Sequence, residues 1–172
     1  MIITTYGYKT QSKRFRTLLE NSAEYYAQKM MRSDLCANIH LDILVTKDLA
    51  KKEGVKQIYG YCHITDHRLS RPREFEIELD AKKRVTKMLL TLAHEMTHLK
   101  QFARRQLRYY DNGSTKWKSE TFGHKKERKI GHYKLPWEVE AYKKEKQLFL
   151  DLVNNTDILD DYMDNIKQET TI

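Results

Sequence analysis

The sequence predicts an α+β fold. Three observations carry this. Glu74 to Asp80 alternates strictly, with Phe75, Ile77 and Leu79 set against Glu74, Glu76 and Glu78, the period of a half-buried strand. Val85, Met88, Leu89, Leu92, Ala93, Met96, Leu99 and Phe102 recur every three or four residues, and no Gly or Pro interrupts the chain from Asp80 to Tyr110. A second helical pattern, Val139, Tyr142, Leu148, Phe149 and Leu152, follows Pro136, which suits the first turn of a helix because its missing N–H costs nothing there.

The remaining elements can be placed around these three. Residues 12 to 32 carry Phe15, Leu18, Leu19, Tyr25, Tyr26 and Met30 as a helical stripe. Asn38 to Thr46 turns Ile39, Leu41, Ile43 and Val45 to one side, as a strand does, and Ile58 to Asp66 is rich in β-formers. The long central helix is predicted over about residues 82 to 106, with Asp80 as its N-cap. A long loop separates it from the helix after Pro136. Ile158, Leu159, Tyr162, Met163 and Ile166 mark a short last helix. The expected order is an N-terminal helix, a three-stranded sheet, two long helices and a short C-terminal helix.

Composition sets the bounds. A chain of 172 residues has the size of one domain with a single core, residues 1–172. No apolar run approaches the roughly 20 residues that span a bilayer. The start, Met1-Ile2-Ile3-Thr4-Thr5-Tyr6, lacks the basic and long apolar stretches of a signal peptide. Cys36 and Cys62 are too few for a disulfide scaffold and read as small buried residues. A cytoplasmic location is expected, with no membrane partner.

One run inside the central helix carries chemistry: His94-Glu95-Met96-Thr97-His98, or H-E-x-x-H. Residues four apart share a helix face, so both imidazoles can reach one Zn²⁺. Glu95 beside them can take a proton from the water that the metal activates. A catalytic zinc needs a third protein ligand and one open position. Glu138 and Glu140 stand two apart, about 200° around a helix, so only one of them can face the same ion.

H-E-x-x-H followed by a helix bearing E-x-x-A resembles the gluzincin pattern. The resemblance assigns the third ligand to Glu138, with Ala141 as the matching Ala. At the next position Tyr142 stands where that pattern has Asp or Asn, so the contact that orients a ligand histidine must come from another residue. Residues 85 to 150 as a whole resemble small phage-encoded and SprT-like metallopeptidases. These carry H-E-x-x-H, a basic segment with Trp-Lys (here Trp117-Lys118), then P-W-E-x-E-A-Y (here Pro136 to Tyr142). SprT-like proteins proper use a third histidine, which leaves His124 and His132, with Glu140, as alternatives to Glu138. The resemblance implies a minimal zincin core, one zinc ion and hydrolysis of a peptide or protein substrate with Glu95 as general base. Tyr109, Tyr110, His132 and Tyr133 are candidate donors to the oxyanion. In zincins the strand before the metal helix lies at the lip of the cleft, where it can pair with an extended substrate. Glu74 to Asp80 is expected there, its three glutamates either favouring basic segments or solvating an edge.

Charge is uneven. Residues 151 to 172 carry six acids against Lys167, a net of −5, while residues 104 to 135 carry ten bases and three acids, a net of +7. Arg104, Arg105, Arg108, Lys118, Lys125 and Lys126, interleaved with Trp117 and other aromatics, suit a single-stranded nucleic acid such as DNA, through phosphate contacts and stacking. The other reading is a solvated basic loop, or one docked on the acidic C-terminal helix. A metal-binding, non-peptidase regulatory or nucleic-acid-binding protein is the alternative functional class.

Overall fold

A computed structural model describes residues 1–10, 12–67 and 70–163. The architecture is α+β. The elements in chain order begin with strand β1 (Ile2–Gly7), helix α1 (Lys13–Met30), a short helix α2 (Ser33–Ala37), strand β2 (His40–Thr46) and a one-turn helix α3 (Leu49–Lys52). Strands β3 (Gly60–Ile64) and β4 (Glu74–Asp80) precede the long helix α4 (Val85–Ala103). Three short strands follow, β5 (Leu107–Tyr109), β6 (Thr115–Trp117) and β7 (Glu120–Phe122), then helix α5 (His124–Ile130), a 3₁₀ turn (His132–Lys134) and helix α6 (Pro136–Asn155). Residues 158–163 are helical again.

The main sheet has four strands rather than three, in the order β1-β2-β4-β3. The additional strand is β1, whose Ile-Ile-Thr-Thr-Tyr run is β-branched and aromatic, the composition that suits a pleated surface. β1, β2 and β4 are parallel, and β3 runs antiparallel to β4. Leu41, Ile43 and Val45 of β2 and Phe75, Ile77 and Leu79 of β4 are buried to 1% exposure or less. They face α1 and α4, which supply Leu19, Ala23, Tyr26, Leu89, Leu92 and Met96 to the same core.

Two strand expectations change. β4 is paired on both sides, so it cannot be the strand that receives a substrate; β3 forms the sheet edge in its place. The sequence placed β4 at the lip because it directly precedes α4, but β3 folds back outside it. The glutamates of β4 do not form a uniformly solvated stripe either. Glu78 is fully buried, accepting hydrogen bonds from Lys52 Nζ at 2.7 and 2.8 Å, from Tyr61 Oη at 2.7 Å and from Thr46 Oγ1.

The helix boundaries differ modestly from expectation. α1 begins where the sequence placed it, with Ser12 Oγ accepting from the Phe15 N–H. Asp80 is not the N-cap of α4: its carboxylate accepts from the Lys82 N–H in a turn, and the helix starts at Val85 with Arg84 at the cap position. The segment from 104 to 135 is not a loop. Its three strands form an antiparallel sheet in the order β5-β6-β7. That sheet encloses a small core in which Trp117 and Phe122 lie against Trp137 at the start of α6, with ring centroids 6.3 and 5.3 Å apart. Val139, expected on the buried stripe of α6, is 51% exposed; the buried face runs through Trp137, Glu138, Ala141, Glu145, Leu148 and Leu152.

The C-terminal helical residues Ile158, Leu159 and Tyr162 pack on the core, with the Tyr162 ring 6.3 Å from Phe15 of α1. This part of the acidic segment therefore lies beside α1. Asp164, Ile166, Lys167 and Glu169 of the expected tail lie outside the described residues. Among the described residues no helix is long and apolar enough to cross a membrane.

Burial alone would raise the Glu78 carboxyl, but Lys52, Thr46 and Tyr61 outweigh it and hold it below its ordinary value of 4.5. A carboxyl depressed in the folded state contributes stability above that value and loses it as pH falls through the folded one. Glu78→Gln is therefore expected to lower the unfolding free energy at neutral pH, with the gap between the two proteins narrowing as pH falls below 4.5. Urea denaturation between pH 7 and 3 reads both effects. A constant offset across that range would remove the charge of Glu78 as the cause.

Candidate metal centre

The centre lies where α4 crosses α6. His94, Glu95 and His98 occupy consecutive turns of α4, in the stretch from Met88 to Ala103 that is buried on most sides. The imidazoles fall off the apolar stripe, and they are buried as well because α6 covers that flank. Glu138 arrives on the first turn of α6, which Pro136 starts, and is 4% exposed.

The donor atoms converge. His94 Nε2 and His98 Nε2 are 3.1 Å apart, and Glu138 offers Oε2 to the first and Oε1 to the second at 3.4 Å each. These three residues form a group able to hold a metal ion. Four ligands at 2.0–2.1 Å around a tetrahedral zinc stand about 3.3 Å from one another, so the observed separations suit such an ion. Glu138 Oε2 is moreover buried without a hydrogen-bond donor. An acceptor in that condition costs free energy unless a cation satisfies it.

The second nitrogens fix the direction of the first. His94 Nδ1 is 2.8 Å from Glu145 Oε2, a carboxylate that can only accept from it. His98 Nδ1 is 2.9 Å from Gln101 Oε1. The Gln101 amide nitrogen donates to Trp137 O at 3.0 Å and to Glu140 Oε2 at 3.1 Å, which assigns its oxygen as the acceptor for His98. In the neutral, metal-binding form of each imidazole the Nε2 lone pair then points into the site. Hydrogen bonds of this kind set the tautomer and raise the basicity of a ligand imidazole.

Glu145 answers the difficulty raised by Tyr142. Two turns after Glu138, it lies on the same face of α6 and is 7% exposed. Sequence reasoning passed over it because it belongs to no named motif. A carboxylate seven residues after the ligand was the available signal. Tyr142 instead lays its ring against His94, with centroids 4.7 Å apart.

Of the alternatives to Glu138, Glu140 and His124 lie away from the convergence and His132 stands at its rim. Glu140 accepts from Lys100 Nζ at 2.7 Å and from Gln101, so it supports the site from behind. His124 is exposed on α5. His132 lines the groove with its Nε2 3.5 Å from Glu138 Oε2, but its side chain is 64% exposed.

The electrostatics follow from burial and charge. Burial works against a protonated His94, but Glu138 and Glu145 outweigh it and push the imidazole up to about 10. Burial would likewise raise Glu138; the facing imidazoles of His94 and His98 bring it down to about 2. Glu95 is raised, because its desolvation exceeds the pull of His98 and His94. A carboxyl with raised affinity for protons, lying beside a cationic site, is suited to proton transfer.

The centre forms the floor of a groove of about 610 Å³. Lys87, Thr91, His94, His98 and Phe102 line it along α4, and Tyr59, Gly60 and Cys62 line the β3 side. Tyr109, His132 and Tyr133 also border it, as does Tyr142, whereas Tyr110 lies outside, its backbone N–H bonded to Ser114 O in the β5–β6 turn.

The basic residues of 104–135 distribute over the outside of the small sheet. Arg104, Arg105, Lys118, Lys125 and Lys126 are exposed and Arg108 is half-buried. Trp117 is 7% exposed, packed on Trp137 with Lys118 Nζ 4.8 Å from its ring, and offers no free face for stacking. Tyr109, Tyr110 and Tyr133 are the exposed aromatics of this region.

Comparison with protein-family models, with curated proteins and with solved structures finds no match to the chain.

Removing Glu145 is expected to weaken metal binding about 10- to 100-fold, while Glu138→Ala abolishes it. Glu140→Ala leaves an ion bound. Zinc titration of the three variants, followed by the rise in melting temperature, checks the order. Full affinity in Glu145→Ala would show that His94 needs no carboxylate behind it.

Proposed function

We propose that the protein is a zinc-dependent metallopeptidase. The observation that supports this best is the convergence of His94, His98 and Glu138, with Glu95 beside them, on the floor of a groove walled by a free sheet edge. Zinc, when bound, lowers the pKa of a water to about 7 and polarises a carbonyl.

The residues divide the remaining work. Glu95, with its proton affinity raised by burial, takes the proton of the attacking water and delivers it to the leaving nitrogen. Glu145 and Gln101 hold the two imidazoles in the tautomer that presents Nε2. Donors for the developing oxyanion are drawn from Tyr109, His132 and Tyr133, which border the groove. The peptide lies extended against the open edge of β3, adding a strand to the sheet. From Lys87 to Phe102 the lining of α4 extends about 22 Å, enough for roughly six or seven extended residues.

Glu95→Gln keeps the shape of the base and removes its function. The variant is expected to retain one zinc and to lose at least about 10²-fold in the rate of cleaving a fluorescence-quenched peptide mixture. Equal rates in parent and variant would remove Glu95 as the base and leave a metal-binding protein without peptidase activity.

The basic module that joins the two ligand helices supports a second part of this proposal, that the substrate is associated with single-stranded nucleic acid. Most of its lysines and arginines are exposed, and three exposed tyrosines stand among them. A labelled single-stranded DNA should bind at about 50 mM salt and dissociate as salt rises. The double variant Lys125→Glu, Lys126→Glu should weaken that binding severalfold. Negligible affinity at low salt would retire the nucleic-acid partner and leave the peptidase reading in place.

A further inference from the structure

β3 and α4 run side by side in the same direction and in step. Tyr59, just before β3, has its ring under Lys83 Nζ and Lys87 Nζ, at 4.6 and 4.9 Å from the centroid. A Cβ added at Gly60 would stand 2.8 Å from Thr91 Cγ2, so strand and helix touch there. Cys62 and Glu95 line the same groove farther along. From Tyr59 to Cys62 the strand advances about 10 Å and from Lys87 to Glu95 the helix advances about 12 Å, so the two stay roughly in step.

This geometry gives the groove a polarity. A peptide added antiparallel to β3, the pairing that forms the more stable ladder, has its C-terminal end at Tyr59 and Lys87. Lys87 precedes His94 by two turns on the same helix face, about 10 Å along the axis. Two to three extended residues cover that distance. The neighbouring lysines are engaged: Lys82 pairs with Asp48 at 2.7 Å and Lys83 approaches Asp80 at 3.8 Å. Lys87 lines the groove itself, and among the described residues no carboxylate pairs with it. Stacking on Tyr59 holds its ammonium in place, which lowers the entropy lost on binding an anion.

We infer that Lys87 and Tyr59 form a subsite for a carboxylate lying two to three residues to the C-terminal side of the bond to be cleaved. The group is an Asp or Glu side chain, or the C-terminal carboxylate of a short peptide. This rests on the peptidase reading for the position of the bond, but the subsite can be tested by binding alone.

The test uses zinc-loaded full-length protein with Glu95→Gln, so that peptides are held without turnover. Six-residue peptides of Ala and Leu are labelled at the N-terminus and followed by fluorescence anisotropy. One set has an amidated C-terminus and either Glu or Gln near that end; a second set has Gln and a free C-terminus. A peptide with a carboxylate should bind about tenfold more tightly than its neutral counterpart. Lys87→Gln should erase the difference and Lys87→Arg should keep it, which separates loss of charge from loss of fold. Preference confined to the first set assigns the side chain as the source, and preference confined to the second assigns the chain terminus. Equal affinity for charged and neutral peptides, or a preference that survives Lys87→Gln, overturns the subsite. Binding with the carboxylate preference, but no cleavage by the parent protein, supports the subsite and overturns the peptidase reading instead.

Discussion

Everything at the centre of this molecule depends on the close packing of α4 on α6 around groups that burial disfavours. Two imidazoles and three carboxylates, those of Glu95, Glu138 and Glu145, lie at under 10% exposure within that contact. An unpaired buried charge is costly, so the arrangement depends on the partners that hold the two imidazoles. Glu145 takes His94, Gln101 takes His98, and Glu140 and Lys100 close the chain behind them. Ala141 is fully buried on the face of α6 that carries Glu138 and Glu145, where a larger side chain would push the helices apart. The polar network and the helix packing are thus one constraint, and neither can be altered alone.

Local periodicity made much of this legible. β4 alternates so strictly that its ends could be placed to the residue, and α4 announced itself by its stripe and by lacking Gly and Pro. Angular spacing showed that only one of Glu138 and Glu140 could face the ion, and the resemblance to the E-x-x-A pattern singled out Glu138. What could not be read depends on contacts between distant segments. Whether β3 or β4 forms the edge is decided by strand order, which a local period does not encode. Glu78 is indistinguishable from Glu74 and Glu76 along the strand, yet it alone meets Lys52, Tyr61 and Thr46. The role of Glu145 was hidden for the same reason: its partner, His94, comes from the other helix.

The segment from 104 to 135 shows another limit of local reading. Its strands are three residues each, too short for alternation to register. Arg105 and Lys118, both at positive φ, turn the chain where glycine would have signalled a turn. Aromatic residues that read as stacking surfaces serve partly as core, since Trp117 and Phe122 anchor the small sheet to Trp137 at the base of the ligand helix. The basic surface and the metal centre therefore share a mechanical connection through the first turn of α6.

That connection has a topological consequence. The two histidines and Glu138 are separated by about forty residues of chain, and all of the small sheet lies between them. An ion held by all three would act as a removable cross-link closing that loop. Closing a loop of this length in the unfolded chain costs several kcal/mol of entropy. Metal supply would then govern the cooperativity of the molecule as well as its chemistry, joining the sheet between the helices to the rest of the fold in a single unfolding unit.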